Sequence, residues 1–169
     1  MVPGIILIIL IRKKWLISLD RPLDYGVRFA GKPLFGRNKT YRGALVYIGG
    51  AIIMSFMLSL ALNGGADWVH WLYGNNPLIV GTLFGVSYVF GELVNSFVKR
   101  RVSIKPGEVS KRFTLVQRVI DLSDGPIMAT LVLVAAFGPS PQSPIALVVG
   151  VVLHWLAERI MLAMRLKKK

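Results

Sequence analysis

The chain has 169 residues, 54% of them hydrophobic, and a formal charge of +13 from 21 Lys and Arg against 8 Asp and Glu, with no cysteine. That length allows one domain, residues 1–169, and no second independent core. The missing cysteines exclude disulfides, thiolate metal sites and a cysteine nucleophile. Four long apolar stretches, each near the ~20 residues that cross a bilayer as a helix, exclude an ordinary soluble protein.

Residues 2–11 are apolar but cover only about half a membrane before Arg12, Lys13 and Lys14 interrupt them. Apolarity resumes at Trp15, so the segment is either a marginal first span with snorkelling cations or an interfacial piece. With no basic residues ahead of it and no small-residue cleavage site, it is not expected to be a removable signal peptide. Residues 12–42 form a polar loop punctuated by Gly26, Gly31, Gly36, Pro22 and Pro33, which rule out one continuous helix. The second span is expected over residues 43–62. The loop 63–77 contains His70 and, as an interfacial aromatic belt, Trp68, Trp71 and Tyr73. The third span covers 78–98, with Gly81 and Gly85 in a helix-packing GxxxG arrangement. A basic segment, 99–118, leads into the fourth span at 119–137, the uncharged turn 138–144 and the fifth span at 145–164.

Nine of the 21 Lys and Arg fall in residues 12–42, seven in 99–118 and five from Arg159 onward, while loops 63–77 and 138–144 have none. Positively charged loops stay in the cytoplasm. The expected fold is therefore an all-α integral membrane protein of about five transmembrane helices, N-terminus outside and C-terminus cytoplasmic. Its two large basic loops lie on the cytoplasmic face. Topology accounts for much of the positive charge, so no nucleic-acid partner is expected.

The chemistry-bearing residues gather at that face. Glu92, Asn95, Ser96 and Lys99 follow helical spacing and share one side of the third span; Gln117, Asp121 and Asp124 do the same on the fourth. Three carboxylates at one mouth are oxygen ligands of the kind that hold Mg²⁺ with a substrate phosphate. The plainer alternative pairs Asp121 and Asp124 with Arg118 and nearby lysines at a helix start. Topology does not explain residues 35–43, Phe-Gly-Arg-Asn-Lys-Thr-Tyr-Arg-Gly. Glycines bracket Lys39 and Arg42, with Asn38 and Thr40 between, just ahead of a helix; that combination suits a phosphate cradle, though not a P-loop. His70 and His154 read as interfacial or packing residues.

Residues 21–26 (RPLDYG), 35–43 (FGRNKTYRG), 96–101 (SFVKRR) and 105–108 (KPGE) together resemble the CDP-archaeol synthases, relatives of the phosphatidate cytidylyltransferases. The resemblance extends from about Arg21 through the fourth span. It implies Mg²⁺-dependent transfer of a cytidylyl group from CTP to an isoprenoid-ether glycerol phosphate, in the cell membrane, with the active site facing the cytoplasm. By the same resemblance Asp121, Asp124 and Lys99 are the catalytic set, and Asp121, Asp124 and Glu92 hold the metal. Asn38, Lys39, Thr40, Arg42, Ser96, Arg100, Arg101 and Lys105 would bind the phosphates, and lipid chains would lie in a groove between spans. This sequence departs from the wider superfamily in placing Gly125 and Pro126 after Asp124, where a helix kink is expected. Three alternatives stay open: the same chemistry on diacyl phosphatidate, a small transporter, and a non-catalytic lipid-binding scaffold. The one-sided polar cluster argues against a transporter, whose sites lie near the midplane.

Overall fold

The computed structural model describes residues 2–66, 71–110 and 113–163. Trp68, His70, Lys111, Arg112 and residues 164–169 lie outside them. Among the described residues five α-helices carry the fold: α1 (Val2–Arg12), α2 (Tyr41–Asn63), α3 (Pro77–Arg101), α4 (Thr114–Phe137) and α5 (Ser143–Ala163). Two-residue strands, β1 (Arg28–Phe29) and β2 (Lys32–Pro33), pair antiparallel within the first connection.

Four of the helices, α2 to α5, are long and apolar enough to cross a membrane. The difference from about five expected spans lies in α1. Its 11 residues reach about 16 Å at the helical rise, roughly half of a hydrocarbon core. The helix does not continue through the basic triplet, because Lys14 and Leu16 take left-handed backbone at φ 55° and 53°.

The bundle is apolar outward. Among the described residues the buried apolar side chains are few, Val80, Pro126, Ala129 and Ala157, whereas Leu60 is 71% exposed. Water would not tolerate such a surface over four long helices; hydrocarbon does. Helix starts are set locally. The Thr40 hydroxyl accepts the Gly43 amide at 3.3 Å to open α2, and Asn76 accepts the Leu78 and Ile79 amides ahead of Pro77 to open α3.

α3 is the central helix, packed on both α2 and α4, with α5 against α4 and α1 against α2. Glycine sets both α3 interfaces. A Cβ on Gly81 would lie 2.5 Å from the Ile52 Cα, and one on Gly85 would lie 2.7 Å from the Ile48 Cα, so the GxxxG pair does pack helices as its spacing predicts. On the other side a Cβ on Gly91 would strike the Asp124 carbonyl oxygen. Successive antiparallel helices bring the start of α2, the end of α3 and the start of α4 to one end of the bundle. The two basic connections meet there: the Lys32 ammonium donates to the Arg101 carbonyl at 2.7 Å and to the Ser103 hydroxyl at 2.8 Å.

These close approaches are testable. Gly81→Val should lower stability in detergent by about 1–3 kcal/mol, the usual cost of overpacking. Gly49→Ala, where a Cβ meets open space, should leave the thermal unfolding midpoint unchanged or raise it.

Candidate active site

The two helix faces predicted from spacing meet. On α3, Asn95 turns its amide toward α4 and donates one N–H to Asp121 Oδ1 at 2.7 Å and the other to Asp124 Oδ2 at 2.6 Å. An amide nitrogen has two protons to give, and both carboxylates can only accept when ionised. One turn along α3, the Lys99 ammonium adds an ion pair to Asp121 Oδ1 at 2.8 Å. The second oxygen of Asp124 accepts the Gly125 amide at 2.6 Å. Asp121 thus pairs with Lys99 across the interface, and Arg118 is an exposed residue one turn earlier. Gln117 is buried and ties the connection down instead, accepting the Ser110 amide at 2.6 Å and donating to the Glu108 carbonyl.

The glycine-bracketed loop closes over the same spot. Lys39 reaches Glu92 on α3, Nζ to Oε2 at 2.5 Å. What holds the loop is Asp24, a residue whose role spacing does not show. It is buried; its Oδ2 accepts the amides of Phe35 and Gly36 at 2.9 and 3.0 Å and its Oδ1 accepts that of Gly26 at 3.0 Å. Burial alone would push this carboxyl up, but the three amides outweigh it and hold it below the usual aspartate range. The available signal was Asp24 with Gly26 two residues on, an Asx-turn pattern.

A cavity of about 480 Å³ opens between loop, α1, α2, α3 and α4. Asn38, Lys39 and Thr40 line one side; Glu92, Ser96, Lys99 and Arg100 line α3; Asp121 and Asp124 line α4; Leu7 and Ile8 of α1 supply an apolar wall. Nine of the expected site residues therefore come together. Three do not border this cavity. Arg42 is buried against the Trp15 carbonyl and the Asp20 carboxylate, at 3.1 and 2.9 Å. Arg101 donates to the carbonyls of Phe29, Lys32 and Pro33 and lies over the Phe29 and Phe97 rings. Lys105 is exposed in its turn. Arg100 borders the cavity but is also committed to backbone, donating to the Phe35 carbonyl at 3.0 Å and to the Ile104 carbonyl.

Among the described residues no three carboxylate or imidazole groups gather as a metal-binding set. Glu92 is ion-paired with Lys39, as Asp121 is with Lys99. Asp121 and Asp124 are hard oxygen donors one helical turn apart on α4. That donor set fits Mg²⁺, which is commonly held by one or two carboxylates together with substrate phosphates.

Geometry and fold together define a polytopic membrane protein with a polar chamber sunk into one end of its helix bundle. The solved structure of an intramembrane enzyme for archaeal membrane lipids biosynthesis superposes with a TM-score of 0.61 over 95% of this chain and 90% of that one, at 24% identity, and so shares the fold. The family model "CarS-like: CDP-archaeol synthase" matches residues 9–169, and the chain belongs to that family. A CDP-archaeol synthase of Staphylothermus marinus is 34% identical over 101 residues, which are 60% of this chain and 48% of that protein. One of Thermofilum pendens is 32% identical over 100 residues, 59% of this chain and 42% of the other. The chain thus matches about half the length of these two relatives. One of Methanopyrus kandleri is 26% identical over 88% of this chain and 78% of its own.

Asp24 yields a pH prediction. Its folded-state pKa lies below the unfolded one, so its contribution is complete above the ordinary value of about 3.9 and is lost as pH falls through the lower folded value. Asp24→Asn should cost about 1–3 kcal/mol at neutral pH, the range for leaving buried amides short of a partner. It should also remove that part of the acid sensitivity; thermal midpoints between pH 7 and 3 in detergent check both.

Proposed function

We propose that the chain is a CTP-dependent lipid-phosphate cytidylyltransferase. It transfers a cytidylyl group to 2,3-di-O-geranylgeranylglycerol 1-phosphate, giving CDP-archaeol and pyrophosphate. The observation that carries this reading is the Asp121–Asn95–Asp124 bridge with Lys99, facing Lys39, Asn38 and Thr40 across a chamber with one apolar wall. Family membership supports CTP as the nucleotide and an archaeal lipid as its acceptor.

A phosphate oxygen of the lipid attacks the α-phosphorus of CTP, and the bond to the β-phosphate bridging oxygen breaks as pyrophosphate leaves. No covalent enzyme intermediate is needed, so positioning and charge neutralisation supply the acceleration. Asp121 and Asp124 would hold Mg²⁺, which when bound would supply positive charge against the triphosphate. Asn95 fixes the separation of the two carboxylates. Lys39 and Lys99 exchange their carboxylate partners for phosphate oxygens, and Asn38, Thr40 and Ser96 add hydrogen bonds. Arg100, pinned to the loop carbonyls, keeps the Lys39 loop beside α3. Glu92 serves as the resting counter-ion of Lys39. Leu7 and Ile8 border the path of the lipid chains. The chain works as one membrane domain, and its cation-bearing end faces the cytoplasm, by the positive-inside asymmetry of its loops.

Purified protein in detergent with Mg²⁺ should release pyrophosphate only when CTP, not ATP, GTP or UTP, is offered with the isoprenoid-ether lipid phosphate. Release with diacyl phosphatidate alone would reassign the lipid; no lipid-dependent release with any pair would overturn the reading. Asp121→Asn and Asp124→Asn should each lower turnover by more than the roughly 10–100-fold typical of losing an outer-shell partner. Full activity in both variants would refute the metal assignment.

A further inference from the structure

α4 runs through Pro126 without a break. Pro126 has no N–H to give the Leu122 carbonyl one turn back, and an unmet carbonyl inside a membrane helix is expensive. The carbonyl is met from another helix. His154 on α5 brings its Nδ1 to 3.2 Å from the Leu122 carbonyl oxygen, and the same nitrogen lies 3.2 Å from the Tyr88 hydroxyl on α3. A carbonyl can only accept, so the Nδ1 proton is the donor in that contact.

The neighbours fit the same arrangement. Gly150, one turn before His154 on α5, sits over Pro126, where a Cβ would stand 3.5 Å from the proline Cβ. On the other side of α4, a Cβ on Gly125 would lie 2.7 Å from the Tyr88 ring, which in turn stacks on Tyr47 with ring centroids 5.3 Å apart. Leu122 follows Asp121 and Gly125 follows Asp124 in the chain. The histidine contact and the tyrosine contact therefore grip the turn of α4 that carries the acidic pair, and His154 borders the cavity into which that pair is set.

We propose that His154 is a positioning residue for Asp121 and Asp124: it replaces the backbone hydrogen bond that Pro126 removes and so fixes the helical turn on which the pair is mounted. The inference rests on the reading of that pair as the catalytic one. It explains how the chain carries Gly125-Pro126 beside its acidic pair without losing the helix.

The test is a double-mutant cycle between His154 and Pro126, read both as lipid-dependent pyrophosphate release and as the thermal midpoint in detergent. His154→Leu should lower turnover roughly 10–100-fold, as loss of an outer-shell partner does, with the KM for CTP little changed. His154→Asn, whose side-chain nitrogen stands where Nδ1 stands, should recover most of the loss; His154→Gln, which reaches to the Nε2 position, should not. Pro126→Ala supplies the missing N–H, so in that background His154→Leu should cost much less in both turnover and midpoint. The proposal is overturned if His154→Leu matches the wild type in both readouts. It is also overturned if the loss is equal in the two backgrounds, or if Asn rescues no better than Gln. A wild type that releases no pyrophosphate with any lipid overturns the proposed function instead, and the cycle of midpoints then decides the His154–Leu122 contact alone.

Discussion

The close approach of α3 and α4 at Gly91 is the constraint from which the site follows. With no side chain between Gly91 and the Asp124 carbonyl, Asn95 comes near enough to reach two carboxylates at once. Bringing Asp121, Asp124 and Glu92 together at the edge of a low-dielectric slab is costly unless each is answered. Each is: Glu92 by Lys39, Asp121 by Lys99 and Asn95, Asp124 by Asn95 and the Gly125 amide. The apolar interface fixes the distance, and the polar contacts occupy it.

The cations divide by type. Lys39 and Lys99 sit on carboxylates inside the chamber, whereas Arg100 and Arg101 spend guanidinium protons on backbone carbonyls and Arg42, outside it, divides its protons between the Trp15 carbonyl and the Asp20 carboxylate. The planar fork of arginine suits several fixed acceptors, and a lysine ammonium is a point charge on a flexible stem that changes partner readily. Around the chamber the arginines are thus tied to the fold, whereas Lys39 and Lys99 face carboxylates they could exchange; Lys32, away from the chamber, is tied to the fold as well.

Helical spacing made the faces legible, because which residues share a side of α3 or α4 is a local property of a 3.6-residue repeat. The gathering of charge at one end was legible too, since loop composition records it directly. Partner choice was not. Nothing in the order of residues says that Lys39 meets Glu92 across 53 positions, or that Arg42, adjacent to the phosphate-like loop, turns back to Trp15. The short hairpin at Arg28–Pro33 was equally hidden, and the basic triplet after residue 11 marked an interruption without deciding whether α1 stops there. The strands are two residues long, and the helix stops on backbone conformations at Lys14 and Leu16 that their side chains do not announce.

The Lys39–Glu92 and Lys99–Asp121 pairs would make the chamber an ion exchanger. At Lys39 and Lys99 an entering polyanion would add no new charge contact outright; it would displace a carboxylate already in place, and its attraction to the lysines would be the difference between two attractions of similar kind. Dissolved salt weakens incoming and outgoing pairs alike. Net binding to such a site would therefore depend only shallowly on ionic strength, unlike binding to a cluster of bare lysines.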